Sequence, residues 1–231
     1  NLEGPITENP SKSVSSSVGD INNTRFTFAP SSAALLKRQG IDIVSLANNH
    51  AQDFGPSGVR STIDFLESAG VEHFGDPHGE GIYHIGEGGV PLTFIGYNQF
   101  QTFVEGSWEA STSTTEKVRA ARAAGSHPIV FAHWGEEYVE AGATAKQLAR
   151  EWIDAGAEMV IGAHPHVIQE NELYAGKHIY YSLGNFIFDQ YWNEEVRSGL
   201  LIEVTLDRDG VSAIREIPIY LERDRRTCPV R

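Results

Sequence analysis

The sequence predicts an α/β protein with mixed sheets. β-branched hydrophobic runs alternate with segments of helical periodicity. Glycines punctuate the alternation, and hairpin signals in the middle and at the end add antiparallel strands.

Taken in order, Ser11 to Thr27 is rich in serine, asparagine and glycine and reads as a surface loop. Pro30-Ser31-Ser32 opens a short helix, Ala33 to Gln39, with Gly40 at the C-terminal cap. Ile41 to Ala47 is a strand by its β-branched content and ends in Asn48-Asn49-His50. Gly55-Pro56-Ser57 begins a helix with Val59, Ile63 and Leu66 on one face, and Gly70 closes it before a strand from Val71 to Phe74. Ile82 to Ile85 and Pro91 to Tyr97 read as strands joined through Gly86-Glu87-Gly88-Gly89. A helix from Thr114 to Ala124 precedes the strand Pro128 to Ala132, which runs into His133. Ala143 to Ala155 gathers Leu148, Trp152 and Ile153 on one helical face and leads to the strand Glu158 to Gly162. That strand ends at Ala163-His164-Pro165-His166, and Ile179 to Tyr181 ends at Ser182-Leu183-Gly184-Asn185-Phe186. Leu200 to Leu206 and Val211 to Tyr220 form a hairpin through Asp207-Arg208-Asp209-Gly210. No repeat or boundary divides the chain, which reads as one domain over residues 1–231.

Composition works by exclusion. With 231 residues, 40% of them hydrophobic, the chain can bury a sizeable core. Thirty-one acids against eighteen bases give a net charge of −13, which argues against nucleic acid and against an anionic membrane surface. An anionic substrate then needs a local positive centre, such as a metal. The single cysteine, Cys228, rules out an internal disulfide and a sulfur-rich zinc site. No run approaches the roughly 18 apolar residues of a membrane span, and none of the residues given reads as a signal peptide. Asn1 to Pro5 lacks an initiator methionine and resembles a strand end entering a turn, so the chain is expected to be a fragment or processed product, with any anchor upstream.

Histidine-bearing turns close three hydrophobic strands: Asn48-Asn49-His50, His133-Trp134-Gly135 and His164-Pro165-His166. Carboxyl ends of strands line the ligand crevice in α/β folds, so these segments can converge. Asn1-Leu2-Glu3 has the same look. Imidazole, amide and carboxylate donors without thiolate suit Zn²⁺, Mn²⁺ or Fe²⁺ and leave positions open for water. His73, His78, His84, His127 and His178 lack such company and read as surface or hydrogen-bonded residues. Glu136 and Glu137 read either as a solvated pair or as site neighbours, and Ser182 and Asn185 either as turn residues or as groups bonding ligands or substrate. No Gly-x-Ser-x-Gly elbow surrounds Ser182, which argues against a serine nucleophile.

The ordered segments Asn1-Leu2-Glu3-Gly4-Pro5, Ala47-Asn48-Asn49-His50, His133-Trp134-Gly135-Glu136-Glu137-Tyr138, Gly162-Ala163-His164-Pro165-His166 and Tyr181-Ser182-Leu183-Gly184-Asn185-Phe186 resemble the CapA, or PgsA-like, family of poly-γ-glutamate capsule synthesis proteins. That family is similar to the calcineurin-like metallophosphoesterases. The resemblance implies a four-layer αββα sandwich, two mixed sheets face to face with helices outside, lacking the superfamily's first strand. It implies that Asn49, His133 and His164 hold one divalent ion, that His166 holds its neighbour, and that Glu3 stands where the superfamily has a bridging aspartate. Two ions, of Mn, Zn or Fe, are expected in the full-length protein. His50 is the expected acid or electrostatic stabiliser, and Asn48, Glu137, Ser182 and Asn185 are expected to bind substrate or support the ligands.

The implied activity is metal-dependent hydrolysis of an anionic small molecule or polymer, phosphoester or γ-glutamyl, in capsule biosynthesis. The alternative is a non-catalytic component of a membrane-bound synthesis or export complex, with a structural or vestigial metal site. Both place the protein at the bacterial cell surface, beside other capsule-synthesis membrane proteins and away from nucleic acid.

Overall fold

A computed structural model describes residues 1–17, 20–77, 82–86, 89–100 and 107–230, with the side chains of Ile21 and of residues 107–112 left aside. His78 and the turn residues Glu87 and Gly88 lie outside the described residues. The strands are β1 (Ile43–Ser45), β2 (Glu72–Phe74), β3 (Ile82–Ile85), β4 (Leu92–Asn98), β5 (His127–His133), β6 (Met159–Ala163), β7 (Asn171–Tyr174), β8 (Lys177–Tyr180), β9 (Ser198–Asp207), β10 (Gly210–Leu221) and β11 (Thr227–Pro229). The helices are α1 (Ser31–Arg38), α2 (Gly55–Ala69), α3 (Ser107–Ala123), α4 (Ala143–Asp154) and the single turn α5 (Glu194–Arg197).

The central layer is a six-stranded sheet in the order β3-β4-β5-β6-β8-β7. Its inner strands β4, β5, β6 and β8 run parallel, and β3 and β7 close the edges antiparallel. Parallel strands covered on both faces read as continuous hydrophobic runs, as Pro128 to Ala132 does. Alternation along β4 and β5 sends Ile95, Tyr97, Val130 and Ala132 to one face, where they pack with Val118 of α3 and Ala149, Trp152 and Ile153 of α4. Phe94 and Phe131 point to the other face and meet Phe74 at ring distances of 5.6 and 6.3 Å.

That second face carries the parallel pair β1-β2, itself covered by α1 and α2 through Ala33, Val44, Leu46, Leu66 and Val71. The layers touch closely: a Cβ on Gly96 would lie 2.6 Å from the Cα of Gly75. The same face receives the antiparallel sheet β9-β10-β11, tied down by Tyr180 Oη donating to Glu216 at 2.8 Å.

The molecule is therefore an α/β sandwich, with one correction to the expected pair of mixed sheets. Only the central sheet is mixed, and the layer facing it is split into a purely parallel and a purely antiparallel piece. The antiparallel piece is built locally, with β9 and β10 pairing over ten register positions and β11 adding to the β10 edge. The loop expected from Ser11 to Thr27 contains two short 3₁₀ turns, Lys12–Ser15 and Ile21–Thr24.

A buried ion network fastens the tail hairpin to the sheet at the end opposite the histidine turns. Glu158, 1% exposed, accepts from Lys177 Nζ at 2.6 Å and from the Val211 amide at 2.8 Å, and His127 lies 3.5 Å away. Burial alone would raise the Glu158 pKa, but Lys177, the Val211 amide and His127 together hold it below the ordinary value. A depressed carboxyl pKa stabilises the fold above the unfolded-state value, and that stabilisation fades as pH falls through the folded-state value. Glu158→Gln is expected to destabilise the protein by about 2 kcal/mol at pH 7 in urea denaturation, the scale of a hydrogen bond to a buried charge. The gap from the native chain should narrow below about pH 4.

Candidate metal centre

The parallel strands deliver their carboxyl ends to one side of the sandwich, and the histidine turns meet there. β5 ends on His133, which is fully buried. β6 ends one residue before His164, and the chain then bends through residues 164–167. His164 and His166 both adopt positive φ, 101° and 59°, a conformation that bulky side chains rarely accept. The turn aims both rings into the cluster: His133 and His164 lie 4.8 Å apart by ring centroid, and His164 and His166 lie 6.2 Å apart.

Glu3 reaches the same point from the start of the chain. Leu2 donates its amide to Ser45 O at 2.9 Å, which lays residues 1–3 beside the end of β1. Glu3 Oε1 then sits 3.7 Å from His133 Nε2 and 3.6 Å from His166 Nε2, between the two rings. One ligand atom each from Glu3, His133 and His164 lie within 4.8 Å of one another. Asn49 Oδ1 is 2.8 Å from His133 Nε2, so the amide joins the cluster from the β1 side.

Two observations show what such a set could hold. The donors are nitrogen and oxygen without sulfur, the combination suited to borderline divalent cations. The Nδ1 of His164 is buried and has no hydrogen-bond partner among the described residues, which an additional coordinating group would explain. The cluster is also electrically prepared. Burial first, and then the neighbouring imidazoles His164, His166 and His50, hold the His133 pKa well below its ordinary value. Burial brings His164 down to about 4, against the pull of Glu137. Burial also raises Glu3, although the surrounding histidines oppose it.

The depressed His164 value has a stability consequence. Between about pH 6.5 and pH 4 the unfolded chain binds a proton at His164 that the folded chain refuses, so metal-free protein should lose stability as pH falls through that window. Thermal denaturation in the presence of chelator is expected to show a falling Tm from pH 7 to pH 4.5. The slope should be shallower in His164→Asn.

The remaining expected residues surround the cluster in distinct ways. Asn48 is buried and structural in its contacts, donating to Leu2 O at 2.8 Å and Asn1 Oδ1 at 3.1 Å while its Oδ1 accepts the His50 amide. It thereby holds the Glu3 segment against the His50 turn. His50 lies outside the Glu3-His133-His164 group; its Nδ1 meets Asp53 Oδ2 at 3.0 Å and its ring packs 4.4 Å from Phe26. Asn185 Oδ1 accepts from His166 Nδ1 at 2.9 Å, and its amide nitrogen donates to Val196 O, which fixes the ring. Glu137 is exposed, and its charge acts on Glu3 and His164. Ser182 is buried, and its Oγ accepts the Gly184 amide at 3.2 Å.

Of the histidines set aside, His84 bonds Thr93, His127 joins the Glu158 network, and His178 stacks on Tyr180. Phe100 had no sequence signal of its own, and further contacts complete the cluster. Asn1 Nδ2 lies 3.3 Å from His133 Nδ1, Phe100 packs 4.4 Å from His164, and Phe188 packs 4.7 Å from His166. Asp53 does follow His50 by three residues, a spacing that could have pointed to it.

Comparison with known proteins places the chain in a family. The model of the family described as "Bacterial capsule synthesis protein PGA_cap" matches residues 1–190. The chain is 32% identical over 206 residues to the "PGA biosynthesis protein CapA" of Bacillus subtilis (strain 168), covering 81% of this chain and 53% of that protein. It is 29% identical over 206 residues to the "Capsule biosynthesis protein CapA" of Bacillus anthracis, covering 81% and 49%. A "Probable polyglutamine synthesis accessory protein" of Mycobacterium tuberculosis (strain CDC 1551 / Oshkosh) is 26% identical over 218 residues, covering 79% and 56%. The chain thus spans about half the length of the curated relatives it matches. Among solved structures, a hypothetical protein from Thermus thermophilus shares the fold with a TM-score of 0.57 and 19% identity, covering 81% of this chain and 79% of that one.

Proposed function

The chain belongs to the PGA_cap family of bacterial capsule synthesis proteins, and we propose from that premise that it is a metal-dependent hydrolase domain acting in poly-γ-glutamate capsule biosynthesis at the cell envelope. The observation that carries the reading is the meeting of Glu3, His133 and His164 ligand atoms within 4.8 Å, from segments far apart in sequence. In this reading the sandwich is metallophosphoesterase-like. Asn49, His133 and His164 would hold one divalent cation of Mn, Zn or Fe and His166 a second, with Glu3 as a further carboxylate ligand. The cations supply Lewis acidity to the substrate and a positive focus on a chain of net charge −13.

The protein's own groups do the rest. Asn185 orients His166, and Asn48 fixes Glu3 and His50 relative to each other. Asp53 holds the Nδ1 side of His50, which leaves Nε2 as the nitrogen able to give a proton to a leaving group or stabilise developing negative charge. The substrate is an anionic phosphoester or γ-glutamyl compound. No described helix is long and apolar enough to cross a membrane, so attachment to the envelope rests on the family.

A second reading is favoured by the complete burial of His133: a non-catalytic component of a synthesis or export complex whose metal is structural. Metal analysis of the purified protein, together with turnover assays on phosphomonoester, phosphodiester and γ-glutamyl substrates, separates the two. Near-stoichiometric metal with turnover of any of these is expected. Full metal with no turnover on all three selects the structural reading.

A further inference from the structure

A groove of about 500 Å³ opens beside the histidine cluster, and Tyr138 belongs to both, stacking on His166 and lining the groove. Its apolar surface is open to solvent, with Tyr138 40%, Val139 46% and Ile168 42% exposed. Trp192, 61% exposed, extends this wall through an edge contact with Tyr138 at 5.6 Å. The rim carries Glu140, Glu170, Glu194 and Glu195, and no basic side chain lines the groove. Lys146 pairs with Glu170, and Arg197 reaches Glu194 at 3.4 Å. Glu140 and Glu195 have no ion-pair partner among the described residues.

The two properties together select an occupant. Contiguous exposed apolar surface with a polar rim marks an interaction site. Rim charge decides which partners are steered in and which are rejected. Here it rejects a polyanionic polymer and an anionic membrane, and favours a segment bearing positive charge. We propose that the groove docks a basic amphipathic segment of a partner protein. Its apolar side chains lie on Tyr138, Val139 and Ile168, and its lysines or arginines face Glu140 and Glu195. The proposal stands whether or not the histidine cluster catalyses hydrolysis.

Fluorescence anisotropy of a labelled peptide of alternating lysine and leucine tests it on the whole chain, with oligolysine, an alternating glutamate-leucine peptide and phosphatidylcholine vesicles as comparisons. Saturable binding of the lysine-leucine peptide is expected, weakening as salt is raised. Affinity should fall about tenfold or more in Ile168→Ser, and again in the separate double variant Glu140→Lys with Glu195→Lys, since one change removes apolar contact and the other reverses the rim. Circular dichroism checks that both variants fold. Equal binding of oligolysine, unchanged affinity in both variants, or vesicle binding lost in the same variants would overturn the proposal.

Discussion

His133→Ala is expected to strip the protein of most of its divalent metal, to below about a tenth of the native content after dialysis. The ring is fully buried at the end of β5, with Asn49 Oδ1 at 2.8 Å and Glu3 Oε1 at 3.7 Å from its Nε2. Alanine removes the nitrogen that faces both oxygens. Changes to groups that merely orient a ligand already weaken metal binding by about 10–100-fold, so loss of a ligand should do at least as much. His73→Ala, a histidine outside the cluster, should keep its metal under the same treatment. Thermal melts in the presence of chelator separate metal loss from unfolding. Native-level metal in folded His133→Ala would end the hydrolase proposal at its root.

Turnover should respond as sharply to His50, by a different route. His50→Ala is expected to lower kcat by about 10²–10⁴, the usual share of a positioned proton donor, while metal content stays at the native level. The distinction rests on geometry, since His50 is anchored to Asp53 and Phe26 and lies outside the Glu3-His133-His164 group. Asp53→Asn should fall between the native chain and His50→Ala, because it loosens the ring without deleting it. Loss of metal in His50→Ala would reassign that ring as a ligand.

Much of this architecture was legible because burial writes itself into composition. Pro128 to Ala132 and Met159 to Gly162 announced strands by being apolar throughout, and the histidines were conspicuous for following such runs. β7 escaped notice because it is a sheet edge. Its residues Asn171 to Tyr174 are half exposed and carry no hydrophobic run to flag them. β11 and the single turn α5 are held by tertiary contacts instead of by local periodicity. The splitting of the second layer was illegible for a related reason, since alternation reports which face a strand buries and not which neighbour it pairs with. At the site, the donor types at strand ends were readable. The supporting contacts of Asn1, Phe100 and Phe188 were not, because only the folded chain brings those segments together.

The left-handed backbone at His164 and His166 bears on how such a chain would drift over generations. Holding a bulky residue there costs on the order of 1–3 kcal/mol, and glycine would remove most of that burden. A lineage with no use for the imidazoles would shed that burden with glycine, at the expense of the Asn185 contact to His166 at 2.9 Å and the Phe100 contact to His164 at 4.4 Å. Histidine at these two places therefore sets a standing toll on heritable stability, which the proposed use of the imidazoles would account for.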